Sequence, residues 1–225
     1  MVHVIKNILR LSIGAILLPL SITVTRAFYA QFAAISVIDN RNQIFFIWGV
    51  ALYLITHIFF FKPNYLYTLG HEGVHVLSTW FSLGKAKNMK VSNEGGSVET
   101  SKPNFFVTIS PYFIPIYTIV TSLAYFTLSK FYDVSSYLPL FIFAIGFTFT
   151  MHIIMTVESL KVVQPDLLKT GYVLSLALIY VLNVLLAAFI VSLIFSGFSF
   201  KDMMLQFCDE TKLLYMAIFS QLFGV

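Results

Sequence analysis

The chain has 225 residues, of which 58% are hydrophobic and 11% charged, with a formal net charge of +4. A soluble domain carries about a quarter charged residues, so this chain lacks the polar surface to face water on all sides and reads as an all-α integral membrane protein. A single cysteine, Cys208, excludes an intramolecular disulfide and a cysteine-built zinc site, and no basic run with interleaved aromatics offers a nucleic-acid surface.

The first apolar run, residues 11–25, follows Lys6 and Arg10, precedes Arg26 and contains Pro19. Thr25-Arg26-Ala27 makes a poor signal-peptidase site, so the run reads as an uncleaved first helix. Residues 27–38 read as an interfacial continuation, closed by the polar turn Asp39-Asn40-Arg41-Asn42. A second span is expected over 44–61, stopped by Lys62-Pro63-Asn64, and a third over 65–83, stopped by Gly84.

Residues 85–104 are the most polar stretch. Within them, 87–92 and 97–100 can pair as a short β-hairpin about Asn93-Glu94-Gly95-Gly96, whose glycines permit positive φ. Lys85, Lys87, Lys90 and Lys102 favour a cytoplasmic position for this loop, while basic counts over all loops are nearly balanced. Further spans are expected over 105–128, with Pro111 and Pro115 inside, over 137–160 and over 172–198. The last stretch, 200–223, mixes Lys201, Asp202, Asp209, Glu210 and Lys212 with apolar residues, as an amphipathic helix on a membrane surface would. No internal repeat or linker is visible, so the expectation is one polytopic domain, 1–225, of about six transmembrane helices.

The third span carries His71-Glu72-Gly73-Val74-His75, an H-E-x-x-H pattern. With five His and five Glu in the chain, chance would place this pattern somewhere with a probability of roughly 0.002. Residues four apart share a helix face, so His71 and His75 can present two imidazole nitrogens to one metal ion. Glu72 lies one step round the helix, where its carboxylate can take a proton from a water molecule on that ion. Titratable groups at membrane depth are costly and are retained mostly where they face a protein interior and have a task.

A catalytic zinc site needs a third protein ligand, for which His152, Glu158 and Asp166 are the downstream candidates. Strict alternation of six spans puts the ends of the third and fifth spans on one side. His75 and His152 then lie at similar depth, about 13 Å from that side at 1.5 Å per residue, which favours His152. Asp166 would sit near the surface unless its segment dips inward, and Glu158 reads as an interfacial charge beside Lys161. A buried histidine bonded near Thr148 or Thr156 is the plainer reading of His152, and a helix-terminal carboxylate after Pro165 that of Asp166.

The apolar H-E-x-x-H helix, Gly84, a polar glycine-containing stretch and then Ser110-Pro111-Tyr112-Phe113-Ile114-Pro115 resemble the M50 (site-2 protease-like) intramembrane zinc metalloproteases, in their short M50B-like bacterial branch. The resemblance covers about residues 65–183. It implies zinc held by His71, His75 and Asp166, with Glu72 as general base, in a multi-pass protein of a bacterial cell membrane acting on membrane-protein substrates. The aspartate motif departs from the family pattern of Asn-Pro followed by Asp-Gly: Asp166 follows Gln164-Pro165 and precedes Leu167, so His152 stays open as third ligand. The resemblance also implies that the hairpin holds a substrate as an added strand. Asn183, in mid-span, would pack between helices or touch substrate. The function expected is zinc-dependent endoproteolysis within the membrane. The alternatives are a silent membrane scaffold that keeps a metal site and a small metal or proton transporter, though no inverted repeat favours transport.

Overall fold

In hydrocarbon each backbone N–H and C=O must be paired within its own segment, which makes helices of long apolar runs. The computed structural model describes residues 2–38 and 40–224, and side chains from residue 8 onward. Asp39 of the expected polar turn and the side chain of Lys6 lie outside the described residues. The elements are α1 (Val2–Ala33), α2 (Arg41–Ile55, prolonged by a π-turn over Thr56–Phe60), α3 (Asn64–Phe81), β1 (Ala86–Val91), β2 (Gly96–Thr100), α4 (Phe105–Ile109), α5 (Ile116–Leu128), α6 (Leu138–Leu160), α7 (Pro165–Thr170), α8 (Tyr172–Ile194) and α9 (Phe200–Phe223).

Four helical stretches among the described residues are long and apolar enough to cross a bilayer: Ile8–Ala33, Arg41–Phe60, Ser135–Leu160 and Tyr172–Ile194. The pair Phe105–Tyr112 and Ile116–Leu128 would add a fifth if counted as one span, but it is bent by 77°. By length and composition this gives four or five spans beside the expected six. The fourth expected span is broken between Pro111 and Pro115, where the missing N–H groups and ring clashes interrupt the helix. The third, α3, is diluted by Asn64, His71, Glu72, His75, Ser78 and Thr79. At the N-terminal end, α1 continues through Ala33, so residues 27–33 belong to the helix itself.

Contacts gather the chain into two units, Met1–Ile38 with Leu168–Val225, and Asp39–Leu167. In the first, α1 and α8 pack in parallel: Arg10 Nη1 donates to the Lys169 carbonyl at 2.6 Å, and Thr25 Oγ1 meets the Tyr180 hydroxyl at 2.7 Å. Between these points a methyl group added at Gly14 would lie 2.8 Å from the Leu174 nitrogen. The C-terminal helix α9 runs antiparallel along α1, with the Tyr215 hydroxyl donating to the Ile16 carbonyl and Thr211 2.8 Å from Thr23. The amphipathic face expected to rest on a membrane surface is thus applied at least in part to a neighbouring helix.

The second unit is built on α2 and α6, also parallel. Asn40 and Gln43 form a reciprocal cap at the start of α2, so the polar turn works as a helix start. Gly49 and Gly146 let the backbones approach: an added methyl at Gly49 would stand 2.1 Å from the Phe143 carbonyl oxygen, and one at Gly146 2.4 Å from that of Phe46. Further along, Tyr53 packs edge-on against Phe147, and at the far end Lys62 Nζ donates to Glu158 at 3.0 Å.

Helix α3 ends at Phe81, two residues before the expected end at Leu83. Leu83 adopts the left-handed conformation at φ 56°, its N–H bonds the Trp80 carbonyl and that of Gly84 bonds Thr79, both at 2.8 Å. This is a Schellman closure with a leucine where glycine is usual. Gly84 follows it, where an added methyl would press on Thr79 at 2.8 Å. The expected hairpin is present, with Lys87 opposite Glu99 and Val91 opposite Gly96. A register shift between Lys87 and Lys90 marks a bulge in which Asn88 turns left-handed, at φ 53°, and donates to Glu99 at 2.9 Å.

Two substitutions should move stability in opposite directions. Gly49→Ala drives a methyl into backbone and should cost about 1–3 kcal/mol. Leu83→Gly relieves a left-handed leucine that is 84% exposed and should gain about 1 kcal/mol. Thermal unfolding of the purified protein in detergent reads both.

Candidate metal and acid–base site

Helix α3 places His71 and His75 one turn apart, with ring centroids 5.0 Å apart and an interplanar angle of 79°. Glu72 and His75 are buried, 6% and 8% exposed, a deep position for ionisable groups in so apolar a chain. Each histidine is held from α4 and the turn after it. His75 Nδ1 lies 2.9 Å from the Val107 carbonyl, so that nitrogen carries the proton and donates, leaving Nε2 with its lone pair. The ring of Tyr112, itself fully buried, stands edge-on to His71 at 4.9 Å. The Nδ1 atom of His71 is buried without a hydrogen-bond partner.

The hairpin lies over Glu72. A methyl group added at Gly96 would stand 2.7 Å from Glu72 Cγ, 2.9 Å from its Oε1 and 2.7 Å from Thr68 Cγ2. Only a glycine lets β2 pass this close to the carboxylate, a relation the sequence could not display because it joins residues 24 apart.

Asp166, at the start of α7, brings Oδ2 to 4.0 Å from His75 Nε2. Its segment dips inward: Ser159 near the end of α6 lies beside Tyr67, whereas Asp166 reaches His75, eight residues further along α3. His152 is buried against Phe149 and near enough to His71 for the two imidazoles to interact electrostatically. Glu158 is engaged elsewhere, by Lys161 at 2.6 Å, Lys62 at 3.0 Å and, at 4.0 Å, His57. The expected alternation of spans does not hold here, because Tyr67 lies near Thr156 and Ser159 while His71, further along α3, lies within electrostatic range of His152. Helices α3 and α6 are therefore antiparallel, and their C-terminal ends point to opposite sides. Asn183, within α8, donates to the Ile179 carbonyl one turn back at 2.8 Å.

Two imidazoles and a carboxylate are the donor types of a catalytic zinc site. Two donors of one tetrahedral zinc, each at about 2.0–2.1 Å, lie roughly 3.4 Å apart, so His75 and Asp166 are wider than that by about half an ångström. No group of three His, Cys, Asp or Glu side chains set to hold a metal ion occurs among the described residues. The chemistry of the donor set fits zinc, and the His75–Asp166 pair comes near the required spacing. His71 has still to be drawn to the same point.

No family model matches the chain, no curated protein is significantly similar to it, and no solved structure matches its fold.

Gly96 and Gly73 separate contact from helix propensity. Gly96→Ala should push β2 off Glu72 and lower thermal stability by about 1–3 kcal/mol. Gly73→Ala, with nothing within 4 Å of the added methyl, should be neutral or raise stability by up to about 1 kcal/mol. Thermal unfolding of the two variants side by side checks the contrast.

Proposed function

We propose that the protein is a zinc-dependent intramembrane endopeptidase of M50-like type, a multi-pass protein of a bacterial cell membrane that cuts membrane-spanning or membrane-proximal segments of other proteins. The observation that carries this reading is the His75 imidazole. One nitrogen is fixed by the Val107 carbonyl and the other faces the Asp166 carboxylate at 4.0 Å, one helical turn from His71, whose Nδ1 is buried. That is the tautomer and orientation a metal-ligating histidine requires.

In this reading His71, His75 and Asp166 hold the ion, and His152, buried beside His71, is the alternative third ligand. These residues would hold zinc, which would supply Lewis acidity towards a peptide carbonyl and towards the attacking water. The chain's own residues do the rest. Glu72 accepts the proton of the attacking water and returns it to the leaving amine. The Val107 carbonyl keeps His75 in one tautomer, and Gly96 lets the hairpin cover Glu72 closely enough to limit water around it. Substrate must be locally unwound for its carbonyl to be reached, since a helical carbonyl is engaged in its own ladder.

A second reading, a catalytically silent membrane protein, draws on the direct approach of Asp166 to His75 and on the lack of a closed three-donor group among the described residues. Cleavage separates the two. Purified wild-type protein should cut at least one of a panel of transmembrane peptides, and Glu72→Gln should lower the rate at least about a thousandfold while keeping its zinc. Full proteolysis by Glu72→Gln would overturn the mechanism, and an inactive wild type with bound zinc would favour the silent protein. Asp166→Ala should lose zinc, whereas His152→Ala should keep it; the reverse pattern moves the third ligand to His152.

A further inference from the structure

We infer that α4 and α5 form a re-entrant loop, entering and leaving the bilayer on the side that carries the β-hairpin, and that α3 is the segment that crosses. The inference concerns the second unit alone and holds whether or not the site binds metal. Its first support is the direction of α2 and α6. Phe46 meets Gly146, Tyr53 meets Phe147 and Lys62 meets Glu158, so the two helices run in parallel and end on one side. A chain that crosses at α2 and again in the same direction at α6 must cross back an odd number of times between them. Two full spans at α3 and α4–α5 would make an even number.

The contacts of α3 and α4 decide which segment crosses. From the side of Lys62 and Glu158, α3 rises antiparallel to α6, with Tyr67 near Ser159 and His71 near His152. Its 18 residues reach about 27 Å, close to the roughly 30 Å of hydrocarbon. The segment at α4 then descends beside it: Asn104 bonds Ser82, Val107 meets His75, Tyr112 meets His71, and Ile116 lies against Gly70. Helix α5 climbs back, antiparallel to α6, with Thr118 by Thr148 and Tyr125 stacked on Phe141.

The turn between α4 and α5, Pro111-Tyr112-Phe113-Ile114-Pro115, has no charged residue, and Pro111, Tyr112 and Pro115 are buried. The loop between α3 and α4 instead carries Lys85, Lys87, Lys90, Glu94, Glu99 and Lys102. The uncharged turn therefore lies at membrane depth and the charged loop has access to water. Irregular backbone is tolerated at depth where protein buries it, which the packing of this turn on α3 provides. The re-entrant loop is thus the part that delivers the Val107 carbonyl and the Tyr112 ring to the two histidines.

Single cysteines in a Cys208→Ser background test the topology in the full chain. The sites are the exposed positions Ser101, Lys130, Lys62 and Val163, with Lys90→Cys as a second reporter of the hairpin. A membrane-impermeant maleimide is applied to sealed vesicles of each orientation. Cysteines at 101, 90 and 130 should label from one face, and those at 62 and 163 from the other, each with at least about tenfold preference. Labelling of 101 and 130 from opposite faces would make α4–α5 a broken span and overturn the inference. So would labelling of 62 and 101 from the same face, which would deny that α3 crosses.

Discussion

The close, parallel approach of α2 and α6 through Gly49 and Gly146 is the constraint on which the rest of the second unit depends. With no side chain at these two positions, backbone meets backbone, and in lipid such packing is what drives helices together. Because the two helices share a direction, everything between them must return the chain to its starting side. Helix α3 does so, and is thereby held against α6 with its titratable residues turned inward.

Placement of α3 also explains how an ionisable motif is tolerated in so apolar a chain. Each of the motif's three ionisable side chains is met by another part of the same unit: His75 by the Val107 carbonyl and Asp166, His71 by Tyr112, and Glu72 by the backbone of β2 at Gly96. These partners come from the re-entrant segment, the start of α7 and the hairpin. Three short elements therefore surround one long helix, which is how polar groups at membrane depth are kept from lipid.

Much of this was legible in the sequence, and the failures share a cause. Apolar runs bounded by Lys62-Pro63-Asn64 and by the polar turn at Asn40 gave helix positions to within a few residues, and Gly95-Gly96 gave the hairpin. The H-E-x-x-H spacing gave the shared helix face of His71 and His75. Direction was not legible. Alternation of six spans aligned α3 with α6, whereas the bend between Pro111 and Pro115 removes one crossing and sets them antiparallel. The same limit applied to Asp166, whose inward path depends on how residues 161–165 fold back. Gly84 reads as the helix stop, but Leu83 takes the left-handed position that closes α3, a choice the hydrogen bonds of the last turn make and residue type alone does not reveal.

The most direct measurement of the central claim is the cleavage rate of a transmembrane peptide by the purified protein before metal removal, after it, and after zinc is returned. On this account stripping the metal abolishes cleavage, and about one equivalent of zinc restores it. Cleavage that persists in fully stripped protein would contradict the account.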